Sequence, residues 1–321
     1  MSAGGEAMKV GVVMPIGPVD GTGVVPPWEA TRLAALATEE AGLDSAWVYD
    51  HLLFRFGTDP TVGIHECWTV LSAMAAITQR VELGILVLAM PFRNPGLLAK
   101  MAATFEDISG GRLILGVGCG WNEPEFTAFD FPFDHRVGRF EEALSVLVPA
   151  LREGRASFSG RWHSASDLEI LPGYSRPDGR RTPLLIAGRG PRMLQLVVRH
   201  ADAWNTAWIG PASQLPPRLE GLHAALAEAG RDPASLEITV GINVVLPEYA
   251  DDDHPALEVT PETITGSQEE LASELRAYAD MGVGHIQVAL EPTIPPAIAH
   301  LGKAVELLRA ESPAAIPTPR D

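Results

Sequence analysis

Asp50 and His51 follow the apolar run Ser45-Ala46-Trp47-Val48-Tyr49 without an intervening turn residue. A histidine exchanges a proton near neutral pH, and an adjacent acid can orient it or bind a polar ligand group. Strands that end on titratable side chains are how a parallel α/β barrel or sheet builds its site. The plainer reading makes Asp50 a turn cap and His51 a solvated loop residue. A second candidate is Gly116-Val117-Gly118-Cys119-Gly120-Trp121, where successive glycines let a ligand approach the backbone. Trp121 could stack on a planar ring, although core packing is the commoner fate of a tryptophan. Cys119 has no base or cation beside it in sequence and reads as structural. A third is Gly188-Arg189-Gly190-Pro191-Arg192-Met193, which reads as an anion site where a strand passes into a helix. Its glycines expose N–H groups, Pro191 suits a first helical turn, and Arg189 and Arg192 add donors to the helix terminus. An ordinary tight β/α turn is the alternative there.

These residues need a frame that brings strand ends together. Strand-like runs at 10–14, 45–48, 81–88, 113–117, 184–187, 203–205, 238–245 and 285–289 alternate with helix-like runs at 28–41, 67–77, 95–108, 139–151, 191–200, 217–229, 268–281 and 297–309. Gly42 stops the first helix, Asn94 caps the third with Pro95 at its first position, and Gly110-Gly111 breaks it. Eight strands alternating with helices in a chain of 321 residues predict one closed (β/α)8 TIM barrel rather than an open doubly wound sheet. The glycine-rich 116–121 segment comes too late, and opens no helix directly, to be a dinucleotide-binding fingerprint. The expected boundaries are a disordered 1–7, a single barrel domain over 8–311, and a flexible tail over 312–321. Segments 154–181 and 247–265, the latter with Asp251-Asp252-Asp253, exceed ordinary loop length and read as insertions.

Composition narrows the function. Net charge is −17, which opposes non-specific binding to nucleic acid or anionic membrane surfaces. An anionic cofactor would therefore need local donors. Cys67 and Cys119 are the only cysteines and stand apart, so no disulfide framework or CxxC metal motif is expected. The remaining histidines show no HxH or HExxH spacing, which leaves a metal-dependent hydrolase a distant reading. Residues 1–7 lack an apolar h-region and no stretch reaches a membrane span, so a soluble cytoplasmic protein is expected.

Six collinear segments carry a resemblance: Trp47 to His51; Leu83 to Val87 with Arg93-Asn94-Pro95; Ser109 to Arg112; Gly116 to Trp121; Gly188 to Met193 with Ala201 to Asn205; and Gly266 to Gly284. Together they resemble the bacterial luciferase-like flavin or deazaflavin oxidoreductases. The resemblance implies a barrel with insertions in its βα loops, a flavin-type ring at the C-terminal mouth, and the cofactor phosphate on the Gly188–Met193 turn. It implies a non-prolyl cis peptide at Leu86-Val87 that backs the ring. Cofactor contacts are then expected from Asp50, Leu86, Val87, Cys119, Gly120, Trp121, Gly188, Arg189, Gly190, Arg192 and Met193, with His51 and Asp50 catalytic. Asp50-His51, the Arg93-Asn94-Pro95 start and the Gly118–Trp121 loop look closest to the branch that uses coenzyme F420. There, reduced F420 passes hydride to or from a small organic molecule while the histidine donates or accepts the proton. FMN is the alternative cofactor, in an oxygen-using two-component monooxygenase, and a non-catalytic flavin-binding protein is the second alternative. Trp121 stands where the family's sugar-phosphate dehydrogenases place a catalytic glutamate, which argues for a bulky apolar substrate. A flavin or F420 reductase as electron source, and a homodimer, are the implied protein partners.

Overall fold

Aliphatic and β-branched runs with no polar face of their own are stable only when both faces are covered, which is the condition of parallel strands inside a ring of helices. The computed structural model describes residues 7–18, 24–55, 57, 60–173, 176–251, 254 and 257–310. The expectations for 1–6, for Asp252-Asp253, for residue 311 and for the tail 312–321 lie outside the described residues.

In chain order the elements are β1 (Lys9–Val13), α1 (Trp28–Glu40), β2 (Ser45–Val48), β3 (Leu53–Phe54), β4 (Val62–Gly63), α2 (Cys67–Ile77), β5 (Glu82–Ile85), β6 (Leu88–Ala89) and α3 (Pro95–Ser109). They continue with β7 (Leu113–Gly118), α4 (Glu123–Ala128), α5 (Arg136–Glu153), β8 (Arg155–Ser159), β9 (Ser164–Glu169), β10 (Leu184–Ala187), α6 (Pro191–His200) and β11 (Ala203–Ile209). The last are α7 (Pro216–Ala229), β12 (Glu237–Val245), α8 (Gln268–Asp280), β13 (Val283–Glu291) and α9 (Pro295–Ala310).

The main sheet runs β10-β11-β12-β13-β1-β2-β5-β7, and β10 pairs in parallel with β7, which closes it. This is the expected (β/α)8 barrel. Inside it Val13, Trp47, Leu86, Ile114, Leu185 and Ala203 pack together. Trp47 fits because Gly84 sits across from it: a Cβ there would lie 2.2 Å from the indole. The larger apolar cluster lies between strands and helices. The helix punctuation follows local chemistry. Asn94 Oδ1 accepts from Gly96 and Leu97 N–H with Pro95 behind it, and Gly110 takes the left-handed conformation that ends α3.

Several boundaries differ from expectation. The 81–88 run is divided into β5 and β6, on either side of the Leu86-Val87 peptide, which is cis. The short 203–205 strand runs on to Ile209, α5 begins at Arg136 rather than Arg139, and α4 and the β3/β4 hairpin have no counterpart in the pattern. Segment 154–181 is not structureless: β8 and β9 pair antiparallel. Their mostly exposed, polar residues have no apolar period to announce them. Near its far end Arg176 is buried against Glu106 at 2.8 Å, which ties this segment to α3.

Candidate active site at the barrel mouth

Asp50 and His51 leave the end of β2 in opposite directions, as neighbours on an extended chain do. Asp50 turns into the wall and is only 3% exposed. Its Oδ2 accepts from Arg93 Nη1 at 2.6 Å and from Ala89 N–H at 2.9 Å. Its Oδ1 accepts from Arg93 Nη2 at 3.0 Å and from the Cys67 thiol at 3.1 Å. The carboxylate thus ties β2 to β6, α2 and the start of α3. Burial opposes the charge on Arg93, but Asp50 outweighs it and holds the guanidinium above its ordinary range. Burial pushes the Cys67 thiol up, and the Asp50 charge adds to this. Asp50, Glu66 and Cys67 offer ligand atoms within 4.8 Å of one another, but the Arg93 guanidinium already bonds all three. A cation is in place there.

His51 turns to the mouth. The acid bonded to it is Glu125, not its neighbour Asp50: Nδ1 and Glu125 Oε1 are 2.7 Å apart. The imidazole is flanked by Phe54, with centroids 4.4 Å apart, and by Trp121, edge-on at 5.3 Å. Trp121 is 60% exposed and lies nearly parallel to Phe54, so it forms an open aromatic rim rather than core. Gly120 permits this turn: its φ is +73° and a Cβ would meet the Phe126 ring at 2.6 Å. Leu86 is buried and Val87 half-buried beside the same barrel interior. Tyr49 and Glu291, at the ends of β2 and β13, are mouth residues that sequence reasoning missed. Burial, and then the Glu291 carboxylate, push the Tyr49 phenol up, so it stays a protonated donor at neutral pH.

Cys119, next to Gly120 in the same turn, lines a cavity of about 320 Å³ with Phe133, His135, Arg136, Gly138 and Arg192, among others. Burial raises the Cys119 thiol against the opposing charge of Arg136. Arg136 donates to the Gly120 carbonyl at 2.9 Å, with its guanidinium carbon 4.0 Å from the Phe133 ring centre. The first turns of α5 and α6 both begin without a side-chain cap, leaving backbone N–H groups and the positive ends of two helix dipoles at this corner. Of the expected turn residues, Arg189, Gly190 and Arg192 are exposed, and Arg192 pairs with Glu141 at 2.7 Å. Gly188 packs against Met193, which is buried beneath the turn, and accepts from Trp204 Nε1 at 2.8 Å. Arg136 and the start of α5 are additions to the expected set.

A histidine paired with a buried carboxylate thus stands at the C-terminal mouth of the (β/α)8 barrel, with the Arg136 and Arg192 corner on the same side of the Cys119–Gly120 turn. Residues 8–279 match the luciferase-like monooxygenase family, and the chain belongs to it. It is 32% identical over 286 residues to the phthiodiolone/phenolphthiodiolone dimycocerosates ketoreductase of Mycobacterium tuberculosis, covering 81% of this chain and 71% of that protein. It is 34% identical over 177 residues to an F420-dependent glucose-6-phosphate dehydrogenase of Amycolatopsis mediterranei, covering 53% of this chain and 50% of that one. An F420-dependent secondary alcohol dehydrogenase, solved with an F420-acetone adduct, superposes with a TM-score of 0.75 at 18% identity. That overlap covers 95% of this chain and all of the other, and it supports the fold. The match to an F420-dependent relative supports the F420-dependent branch of the family. Among the described residues no helix is long and apolar enough to cross a membrane.

Proposed function

We propose that this protein is an F420-dependent oxidoreductase that moves a hydride between the deazaflavin and a ketone or secondary alcohol bearing bulky apolar groups. The observation that carries this reading is the His51–Glu125 pair beside exposed Trp121, with Cys119, two residues before Trp121, lining the Arg136 cavity. The residues present fit the cofactor. Arg136, Arg192, the Gly188–Gly190 backbone and the uncapped helix starts suit a phosphate in a chain whose net charge is −17. Leu86, Val87 and Trp121 offer apolar faces suited to a planar ring. When bound, the reduced deazaflavin supplies a hydride but, unlike reduced FMN, does not activate oxygen.

In this reading His51 gives a proton to the carbonyl oxygen as the carbon is reduced, and takes it back in the reverse direction. Tyr49 stays protonated and can donate to the same oxygen. Phe54 and Trp121 wall the substrate side and exclude water. The ketoreductase and alcohol dehydrogenase activities named for the relatives point to the same carbonyl/alcohol pair. An F420 reductase or dehydrogenase would recharge the cofactor.

The test is equilibrium binding of oxidised F420 and of FMN to the purified protein. F420 binding without FMN binding is expected; FMN binding alone would move the protein to the oxygen-using monooxygenases. Arg136→Ala should weaken F420 about tenfold or more, as loss of a charge-assisted contact does. A deazaflavin lacking the phosphate should be unaffected by that change, and equal weakening of both ligands would remove Arg136 from the phosphate site.

A further inference from the structure

Asp50, Glu106 and Glu125 are the least exposed carboxylates among the described residues, and their partners differ. Asp50 faces Arg93 and Glu106 faces Arg176, so each has a permanent cation. Glu125, with its side chain 1% exposed, accepts three hydrogen bonds instead: from His51 Nδ1 at 2.7 Å, from Leu52 N–H at 2.6 Å, and from Asn122 Nδ2. Its one bonded partner among the described residues that can become a cation is His51. Burying a carboxylate without a permanent cation is costly unless its oxygens are met by well-placed hydrogen bonds.

The geometry points to Glu125 as a positioning residue that holds His51 as its Nδ1–H tautomer and thereby makes Nε2 the atom that exchanges a proton at the mouth. This rests on the reading of His51 as the proton-exchanging group. A carboxylate only accepts, so the nitrogen facing Oε1 must carry the hydrogen. In the neutral ring Nε2 is then the lone-pair nitrogen; it has no hydrogen-bond partner among the described residues and lies on a side chain that is 19% exposed. The Leu52 contact keeps the carboxylate from rotating, and Asn122, which also donates to the Leu53 carbonyl at 2.9 Å, fixes it from the other side. Loop, helix start and imidazole are thus locked to one group. When His51 has taken up a proton, the same carboxylate balances the imidazolium. When Nε2 has released that proton to the substrate oxygen, the ring is left neutral with hydrogen on Nδ1.

Glu125→Gln makes the arrangement testable. Oε1 accepts from both His51 Nδ1 and Asn122 Nδ2 and Oε2 accepts from the Leu52 N–H, so an amide at position 125 sets its NH₂ group against a donor in either orientation. The side chain can then either accept from Nδ1–H or donate to a bare Nδ1, so the exclusive hold on the Nδ1–H tautomer is lost. Histidine ¹⁵N spectra of the cofactor-free protein at alkaline pH read this directly, with the His51 signals assigned by their loss in His51→Ala. Native protein should show Nδ1–H, and E125Q should show a larger share of Nε2–H. Turnover of E125Q should fall by about 10²-fold or more, as wrong-tautomer variants of histidine–acid pairs do, with KM and cofactor affinity little changed. An Nε2–H tautomer in the native protein overturns the inference without any variant having to fold. So does an unchanged tautomer in E125Q. Either result leaves the cofactor reading standing, whereas failure of the native protein to bind F420 removes that reading and leaves the tautomer result intact.

Discussion

His285 at the N-terminal end of the barrel meets Ser45 Oγ at 2.7 Å, whereas His51 at the C-terminal end meets Glu125 Oε1 at the same distance. Ser45 also accepts from Trp47 Nε1, and His285 is 2% exposed, so the lower site is a closed network of neutral groups. Burial, and then the charge of Lys9, push the His285 pKa down to about 3. It is a packing residue that happens to be an imidazole. His51 instead has an ionisable partner, a flank of aromatic rings and one nitrogen left open. The same side chain serves structure where its partner is neutral and sealed, and chemistry becomes available where the partner is an acid and the ring reaches the mouth.

The largest expected effect breaks the upper member of this pair. His51→Ala should lower turnover by about 10²–10⁴-fold, the usual share of a general acid or base, while thermal unfolding moves little. Unchanged turnover would remove the contrast between the two ends. Next, Arg93→Ala should destabilise the fold by about 3–5 kcal/mol in a denaturant titration, because it strands the buried Asp50 carboxylate. A loss below about 1 kcal/mol would show that Asp50 is not clamped in the wall, and would return it to the mouth as a candidate beside His51.

The most gradual effect, at any one pH step the smallest, belongs to the lower site. Below about pH 6.5 the unfolded chain can protonate His285 but the folded chain cannot until about pH 3, so stability is lost as pH falls through that window. The slope from this one group is at most about 1.4 kcal/mol per pH unit. Urea midpoints measured across that range should fall less steeply for His285→Gln than for the native protein. Parallel curves would mean that His285 charges in the folded state after all.

The sequence was most legible where physics is local. Alternation of apolar runs with helix-forming stretches, Asn94-Pro95 at a helix start and Gly110 at a helix end are read from adjacent residues, and the barrel followed from counting them. It was least legible where a short element is polar. The β8/β9 hairpin and the six-residue α4 bury too little to impose a hydrophobic period. Asp50 and His51 stood out as a pair, yet the pleat of an extended chain separates them. The acid that reaches His51 is Glu125, 74 residues away, and no spacing rule connects the two.

By itself, then, the sequence determined that eight strands close into a barrel and that titratable and glycine-rich segments gather at its C-terminal end, because strand order and polarity put them there. Tertiary structure alone decided which partner each group meets: arginine for Asp50, serine for His285, glutamate for His51. That choice depends on loops and helix starts converging from distant parts of the chain, and it separates buried structural ionisable groups from those that can hold and pass a proton.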